Sequence, residues 1–341
     1  MSASRRRTLK RITVVTIGVL FVILGFRQLA SSGIVRASES RTDHHVEVRV
    51  DREVDRRVAS AATTDDVLFA EAFAVREGEQ LRLDLTNERV EILPAKGLEA
   101  TVTVRGRGDD AQREFERRRF SADYRSGVLT VRTDPPRGWR RGRTDAQFVV
   151  TVEIPSRFSA SVDVASGAVQ IDEISGDLSV DTGSGSIAVG SARGGRISLD
   201  TGSGSIRADR LDGDVEVNTG SGSIDIGTVN GRFEGDTGSG SISVAEADVS
   251  RFLADTGSGS VDARLLREAD VDIDTGSGRV TLALPSSIGA EIELSGRPIR
   301  IDDALRFQGR QDRNGARGRL GSGGPEMEIE TGSGGITLRA G

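Results

Sequence analysis

The strongest constraint on this chain is a short motif that recurs at an almost constant spacing. An acidic residue or Asn is followed by Thr-Gly-Ser-Gly, one variable residue, and then Ile or Val. The steps between the first six copies are 19, 18, 18, 19 and 19 residues, and the seven copies begin at Asp181, Asp200, Asn218, Asp236, Asp255, Asp274 and Glu330. Such a period is typical of stacked repeats that bury their faces against one another. We therefore expect an all-β, single-stranded parallel β-solenoid of about ten coils, each of 18–19 residues.

Aliphatic residues alternate on both sides of each motif. Counted from the acidic position as zero, positions −3 and −1 are apolar, as in Leu178 and Val180, and so are positions +6 and +8, as in Ile187 and Val189. Each pair is typical of a strand with one face inward. Because the step from −1 to +6 is odd, the Gly-Ser-Gly must form a corner or bulge that resets the alternation. Position +11 adds a smaller inward residue: Ala192, Leu211, Val229, Ala247 or Leu266.

The same template continues beyond the seven motifs. Asp84, Asp163 and Glu293 each have apolar residues at the expected offsets. The sequence therefore predicts a β-solenoid repeat domain over residues 67–341, with insertions at about 105–147 and 305–325. The first insertion contains a charged helical stretch (111–120) and a strand (128–132), and the second is rich in Gly and Arg. At about 4.8 Å per coil, such a stack would be a rod of roughly 50 Å.

The first 40 residues are typical of a targeting segment. Basic residues at the start precede an uncharged run from Ile12 to Phe26. That run is short for a membrane span of about 20 residues, so residues 1–37 are either a cleaved signal peptide or an N-terminal membrane anchor formed by a hydrophobic helix. Residues 38–66 indicate a charged tether, because they hold few apolar residues. Since Lys and Arg stay on the cytoplasmic side, we expect a cell-envelope protein with the solenoid outside the cytoplasm.

Composition excludes several classes of protein and site. The chain has no Cys, which rules out disulfides, thiolate metal sites and a cysteine nucleophile. Its net charge of −6 argues against a dedicated nucleic-acid binder, which would carry a basic face. The 43 glycines fit turns, since no collagen-like triplet period accompanies them. We expect neither a cofactor nor a metal centre.

The repeated Asp-Thr-Gly-Ser-Gly-Ser-Ile, the earlier Leu-Arg-Leu-Asp with Val-Glu-Ile, and the export signal carry a family resemblance. They resemble the bacterial putative-adhesin family of β-strand-repeat proteins, a family of unknown function, over about residues 69–338. The resemblance implies a single-stranded β-solenoid that faces the outside of the cell, and it carries no catalytic residues over to this chain. The Arg-rich insertion departs from the plain repeat, which leaves open a special ligand there.

The acidic residue that opens each motif has three interpretations. In the first, it is a structural turn ladder: each side chain accepts backbone N–H groups of its own turn, as in Asx turns, and Asn218 fits because Asn keeps the acceptor. In the second, Asp-Thr-Gly marks an aspartic protease, but those enzymes need one pair of carboxylates and this motif recurs once per coil. In the third, calcium lies between coils, although the Gly-Gly-x-Gly-x-Asp repeat of calcium-binding β-rolls matches poorly.

Three classes of function remain open. The leading one is a non-enzymatic envelope protein whose rigid solenoid binds an envelope polymer, a protein or a surface. The sequence also predicts a contact loop, which contains Arg137, Trp139, Arg140, Arg141 and Arg143. An aromatic side chain among arginines suits anionic polymers or lipid head groups. The second class is a self-assembling scaffold in which the last strand (335–339) is an uncapped edge that pairs with another copy. The third and most remote class is a polysaccharide-acting enzyme.

Overall fold

The computed structural model describes residues 66–135 and 145–341. The predicted N-terminal helix, the leader and all but the last residue of the tether lie outside these residues. Within them the chain is all-β: 23 strands form one continuous open sheet, accompanied by one α-helix and one 3₁₀ helix. Neither helix in this part of the chain is long and apolar enough to cross a membrane.

The strands are numbered in chain order. They are β1 (Asp66–Ala74), β2 (Gln80–Leu85), β3 (Arg89–Pro94), β4 (Glu99–Arg107), β5 (Ser121–Arg125), β6 (Val128–Arg132), β7 (Gln147–Ile154), β8 (Ser159–Val164), β9 (Val169–Ser175), β10 (Leu178–Thr182), β11 (Ile187–Thr201), β12 (Ile206–Thr219), β13 (Ile224–Thr237), β14 (Ile242–Thr256), β15 (Val261–Leu265), β16 (Asp270–Thr275), β17 (Val280–Leu284), β18 (Ala290–Ser295), β19 (Ile299–Ile301), β20 (Gln308–Gln311), β21 (Gly315–Leu320), β22 (Glu326–Thr331) and β23 (Ile336–Ala340). The α-helix is α1 (Ala111–Arg118), and the 3₁₀ helix is Asp303–Leu305.

The strands form two ladders. Those that lead into each Thr-Gly-Ser-Gly corner or its equivalent make up the entry ladder, in the order β5, β6, β2, β8, β10, β11, β12, β13, β14, β16, β22, β18, β21, β20. Those that leave each corner make up the exit ladder, in the order β1, β4, β7, β3, β9, β11, β12, β13, β14, β15, β17, β23, β19. The long strands β11 to β14 run through both ladders, because each leaves one corner and leads into the next.

Equivalent positions of successive repeats lie side by side. Asp181 pairs with Asp200 across the parallel strands β10 and β11, and the same alignment holds for every later motif. The difference between 18- and 19-residue repeats is absorbed away from the motif, for example by a register shift between β13 and β14 after Gly231. The fold is therefore β-solenoid-like, with the motifs aligned as predicted.

The aliphatic positions predicted to face inward are buried, and the alternation is reset at the corner as predicted. Leu178, Val180 and Ile187 are each 1% exposed, and their counterparts in the other coils are buried as well. Two coils carry an aromatic ring at position −3 instead. The rings of Phe233 and Phe252 stack there with their centroids 5.0 Å apart. One hydrophobic core thus runs through the stack.

The prediction for position +11 is wrong in one coil. Four of the five residues are buried as predicted: Ala192, Leu211, Val229 and Ala247. Leu266, in contrast, is 41% exposed, and its neighbour Leu265 is buried. The reason is a register shift, since β15 ends at Leu265 and this residue pairs with Ala247.

At the N-terminal end, the spatial order of the coils differs from the chain order. β2 lies between β6 and β8, and β3 lies between β7 and β9. The strand pair β6–β7 therefore forms a coil outside the earlier pair β2–β3. The antiparallel strands β1, β4 and β5 extend the ladders beyond it. The predicted helical stretch and the predicted strand are confirmed as α1 and β6, and both belong to this end of the stack.

At the C-terminal end, the prediction of an uncapped last strand is wrong. β23 pairs with β17 on one side and with β19 on the other, and β22 lies between β16 and β18. The last coil of the chain is thus inserted under the preceding one, and β21 and β20 continue the entry ladder antiparallel. Motif stacking explains the order: the Thr331 hydroxyl donates to the carbonyl of Gly278 at 3.1 Å, whereas the corner after β18 reads Gly-Arg-Pro and has no such threonine.

A buried ion pair joins α1 to the coil beneath it. Arg118 pairs with Glu88, and both side chains are 2% exposed. The Glu88 carboxylate also accepts backbone N–H groups of Thr86 at 2.8 Å and Asn87 at 2.9 Å, and the guanidinium lies 4.4 Å from the ring centroid of Phe148. Because an unpaired charge is costly to bury, each partner keeps the other in place.

Candidate functional site

The threonines of the motifs form a buried chain of hydrogen bonds along the stack. At one corner, Oγ1 of Thr219 accepts the backbone N–H of Gly222 at 3.1 Å and donates to the carbonyl of Gly204, in the neighbouring coil, at 2.8 Å. The donation recurs at all seven corners, from Thr182, Thr201, Thr219, Thr237, Thr256, Thr275 and Thr331. All seven threonines are buried. Each corner is therefore tied to the next by a hydroxyl.

The prediction that the acidic residue accepts the N–H groups of its own turn is wrong. Strand alternation turns positions −1 and +1 inward, so Thr182 points into the corner and Asp181 points outward. The N–H of Gly185 donates to Oγ1 of Thr182 at 3.1 Å. Among the described residues, no corner N–H donates to the carboxylate of Asp181 or of its counterparts. The threonine hydroxyl is the acceptor in the turns at Thr182, Thr201, Thr219 and Thr237.

The second glycine of each motif is required by space. A Cβ added at Gly222 would lie well under 3.0 Å from the backbone carbonyl oxygen of Gly204, which real Cβ atoms do not approach. The same clash recurs at Gly240 against Gly222 and at the equivalent glycines of the other motifs. The backbone of one corner thus rests directly on the backbone of the next.

The acidic residues form one outward column along the entry ladder. In register order it contains Asp84, Asp163, Asp181, Asp200, Asn218, Asp236, Asp255, Asp274 and Glu330. Neighbours in adjacent strands are about 4.8 Å apart. In residues 66–135 and 145–341 no Lys or Arg makes an ion pair with a carboxylate of this acidic column. The register thus brings together all seven residues of the predicted ladder, of which six are carboxylates and one is the neutral Asn218.

The carboxylates of the acidic column repel one another. Partial burial raises the pKa of Asp255 above its ordinary value of 3.8, and the carboxylates of Asp236 and Asp274 raise it further. Burial followed by neighbouring carboxylates, Asp181 first, raises the pKa of Asp163 in the same way. At neutral pH, where these groups are ionised, the column lowers the stability of the fold.

Replacing Asp255 with Asn is expected to increase the free energy of unfolding at pH 7 by about 1 kcal/mol, since one neighbouring pair repels by about that amount in water. The folded chain binds the Asp255 proton more tightly than the unfolded chain does. The contribution of Asp255 to the stability of the wild-type chain should therefore increase as pH falls through the raised pKa towards 3.8, and the variant should lack this contribution. Urea unfolding at several pH values measures both effects.

Asp262→Asn is the matched control for this prediction. Asp262 is also exposed, but its register neighbours are Ser243 and Thr281 rather than carboxylates. The control is expected to leave the stability at pH 7 within about 0.5 kcal/mol of wild type. Equal effects of the two substitutions would show that repulsion within the acidic column is not the cause.

The carboxylates of the acidic column stand one to a coil, in a single row. Within the described parts of the chain, no group of three or more His, Cys, Asp or Glu side chains is placed to hold a metal ion. The arrangement therefore offers a line of separate charges to a partner.

An open groove near the N-terminal end is lined by Val75, Glu79, Tyr124 and Val128, among others. The Tyr124 hydroxyl donates to the Glu79 carboxylate, 2.8 and 2.7 Å from its two oxygens, and the N–H of Arg76 donates to Oε2 at 2.9 Å. The hydrogen bond to Glu79 raises the pKa of Tyr124. No sequence pattern marked this network, and its polar groups satisfy one another.

The predicted contact loop lies outside the described residues, which stop at Pro135 and resume at Asp145. Its flanks show where it departs from the repeat. Arg132 is the register partner of Asp84 in the adjacent strand, at the end of the acidic column. The next residue, Thr133, is buried and occupies the position that threonine has in the motifs. The loop therefore follows the threonine position of this coil, where the seven motif coils have Gly-Ser-Gly.

Several solved structures are similar to this chain. A putative adhesin from Parabacteroides distasonis ATCC 8503 is 13% identical, covers 81% of this chain and 98% of its own length, and has a TM-score of 0.36. A putative adhesin from Bacteroides fragilis NCTC 9343 is 10% identical, covers 81% of this chain and 98% of its own length, and has a TM-score of 0.38. A putative lipid binding protein from P. distasonis ATCC 8503 is 12% identical, covers 79% of this chain and 96% of its own length, and has a TM-score of 0.38. At these identities and TM-scores, the similarity does not indicate a function for this chain.

The family of the chain rests on a different comparison. No curated protein matches the chain. Residues 79–339, well over half of the chain, match the family model described as Toastrack DUF4097. These residues reach from β2 through the last coil and hold all seven motifs. The chain therefore belongs to the Toastrack DUF4097 family.

Proposed function

We propose that this protein is a non-enzymatic protein of the cell envelope that presents a rigid β-solenoid, of about ten coils, to a partner in the envelope or on another surface. The observation that supports this most is the register of the stack. This register places an outward-facing acidic residue or Asn once per coil along the entry ladder. Small-molecule sites, in contrast, are concave pockets with a few converging polar groups.

A repeating outward array suits an extended partner. Such a partner touches several coils at once, and linked contacts add affinity even where each one is weak. The array must also hold its spacing, and two features keep it fixed: the continuous core and the threonine hydrogen bonds between corners. The acidic column and the Arg-rich loop are the two surfaces that we propose for contact.

The location that we propose follows from the N-terminal segment. Residues 1–37 would serve as a signal peptide or a membrane anchor, and residues 38–66 as a tether, so that the solenoid lies outside the cytoplasm. Assembly through the C-terminal coil, the alternative function, loses its basis because β23 is paired on both sides.

Substitution of the loop residues tests the contact proposed there. Replacing Arg137, Trp139, Arg140, Arg141 and Arg143 with Ser is expected to weaken binding to isolated envelope material about tenfold or more, since buried Trp and Arg contacts dominate many interfaces. A sedimentation assay with labelled protein measures the bound fraction. Release of soluble sugars from envelope polysaccharide by the wild-type chain would instead favour the remote alternative of an enzyme.

The control variant removes the same number of positive charges from exposed arginines elsewhere in the stack. It replaces four exposed arginines with Ser: Arg193, Arg207, Arg232 and Arg267. This variant is expected to bind as wild type does. Equal losses in both variants would mean that net charge alone governs binding. Unchanged binding of the loop variant would exclude the loop and leave the acidic column as the proposed contact surface.

A further inference from the structure

The outward face of the entry ladder changes the sign of its charge near the C-terminal end. From β22 through β18 and β21 to β20, the register-matched residues are Glu328, Glu293, Arg317 and Arg310. All four side chains are exposed. We call this row the charge strip: two negative charges are followed by two positive charges.

A second row beside the charge strip has nearly the same order. Its register-matched residues are Glu326, Glu291, Arg319 and Gln308, so only the last position lacks a charge. Gln308 accepts a hydrogen bond from Arg319, whose Nη2 lies 3.0 Å from its Oε1. In both rows the boundary between the signs falls between β18 and β21.

Charges within the strip are only partly compensated inside one chain. At the boundary, Nη2 of Arg317 lies 3.4 Å from Oε2 of Glu293. Away from it, Arg310 lies directly opposite Arg317, and Glu328 lies directly opposite Glu293. Like charges directly opposite each other destabilise a pair of strands. Repulsion therefore remains at both ends of the strip.

The charge strip is electrostatically complementary to itself. A rotation of 180° about an axis that runs parallel to the strands, above the boundary and outside the sheet, brings a second copy face to face with the first and reverses the order negative-negative-positive-positive. Arg310 of one copy then faces the partner's Glu328, and Arg317 faces the partner's Glu293. A twofold contact of this kind uses the same patch on both subunits. The inward faces of β22, β18 and β21 pack on the core, whereas their outward faces and all residues of β20 are exposed.

We infer that two copies of this chain associate side by side and antiparallel through the charge strip. The contact goes beyond the proposed binding function, because it pairs two solenoids whichever partner they bind. It is built on exposed charges, so it gives orientation and register more than high affinity. Because added salt screens exposed charges, the contact weakens as the salt concentration rises.

Two charge-reversal variants test the inference. Arg310→Glu with Arg317→Glu makes the strip wholly negative, and Glu293→Arg with Glu328→Arg makes it wholly positive. Sedimentation velocity of the full chain should show a dimer for wild type, with at least about tenfold weaker association in about 0.5 M salt. Each variant alone should associate at least about tenfold more weakly than wild type. An equimolar mixture of the two should form the dimer again.

Recovery of the dimer in the mixture would also show that both variants are folded. The single substitution Arg310→Glu is a milder second test, which should weaken association less than the double substitution. The matched control is Arg207→Glu with Arg264→Glu on the exit ladder, which should dimerise as wild type does. A wild-type chain that stays monomeric at low salt would overturn the inference. So would variants that dimerise unchanged, or a mixture that does not associate.

Discussion

Alanine at Gly222 is expected to lower the free energy of unfolding by about 3 kcal/mol, the largest effect that we foresee for a single methyl group. The added Cβ would overlap the carbonyl oxygen of Gly204, which is backbone and cannot turn away. Relief would require the two coils to separate at this corner, where the stack is continuous on both sides. Thermal unfolding should show a drop in the midpoint of several degrees, at about 2–4 °C for each kcal/mol.

Gly195→Ala is the control for the crowded corner. The nearest atom to its added Cβ would be Oδ1 of Asp177 at 3.1 Å, the end of an exposed side chain. This change should cost less than about 1 kcal/mol. If the two alanine variants unfold at the same midpoint, direct contact between the corner backbones is not what restricts this position.

Valine at Thr219 is expected to cost about 2–4 kcal/mol. The substitution keeps the shape but removes the hydroxyl, and so leaves the buried N–H of Gly222 and the carbonyl of Gly204 without this partner. Each buried polar group left unsatisfied costs about 1–3 kcal/mol. Urea unfolding, followed by circular dichroism, measures the loss.

Thr219→Ser separates the hydroxyl from the methyl group. Serine keeps both hydrogen bonds and loses only one methyl, so its cost should be about 1 kcal/mol. If serine proves as damaging as valine, packing of the methyl group, and not the hydrogen-bond chain, would account for the threonines.

Most of the fold could be predicted from the repeat period. A constant step between identical motifs predicts in-register stacking, and the parity of the aliphatic positions predicts which residues are buried. Parity could also have located the buried threonine. Position +1 lies two residues beyond the inward Val180, so Thr182 must point inward and Asp181 outward. The Asx-turn prediction considered the chemistry of the aspartate but not its direction.

The order of the coils at the two ends could not be predicted from the spacing. A repeat template indicates which segments form coils, but a segment joined by a long connection is free to stack elsewhere. Residues 302–325 give β22 and β23 that freedom, and the match between the Thr-Gly-Ser-Gly corners at Thr275 and Thr331 selects their place. The charge strip was hidden for the same reason, because it depends on β21 and β20 lying beside β18.

Disulfide formation between introduced cysteines tests the stacking most directly, since the chain has no cysteine of its own. Asp274 and Glu330 are register partners in adjacent strands, and Ser295 lies one strand beyond Glu330. Adjacent strands are about 4.8 Å apart, within the range for a disulfide, and strands two apart exceed it. The Asp274→Cys/Glu330→Cys variant should therefore form an intramolecular disulfide under mild oxidation, and the Asp274→Cys/Ser295→Cys variant should not. The reverse result, read by mass spectrometry, would contradict the insertion of the last coil and the stack built on it.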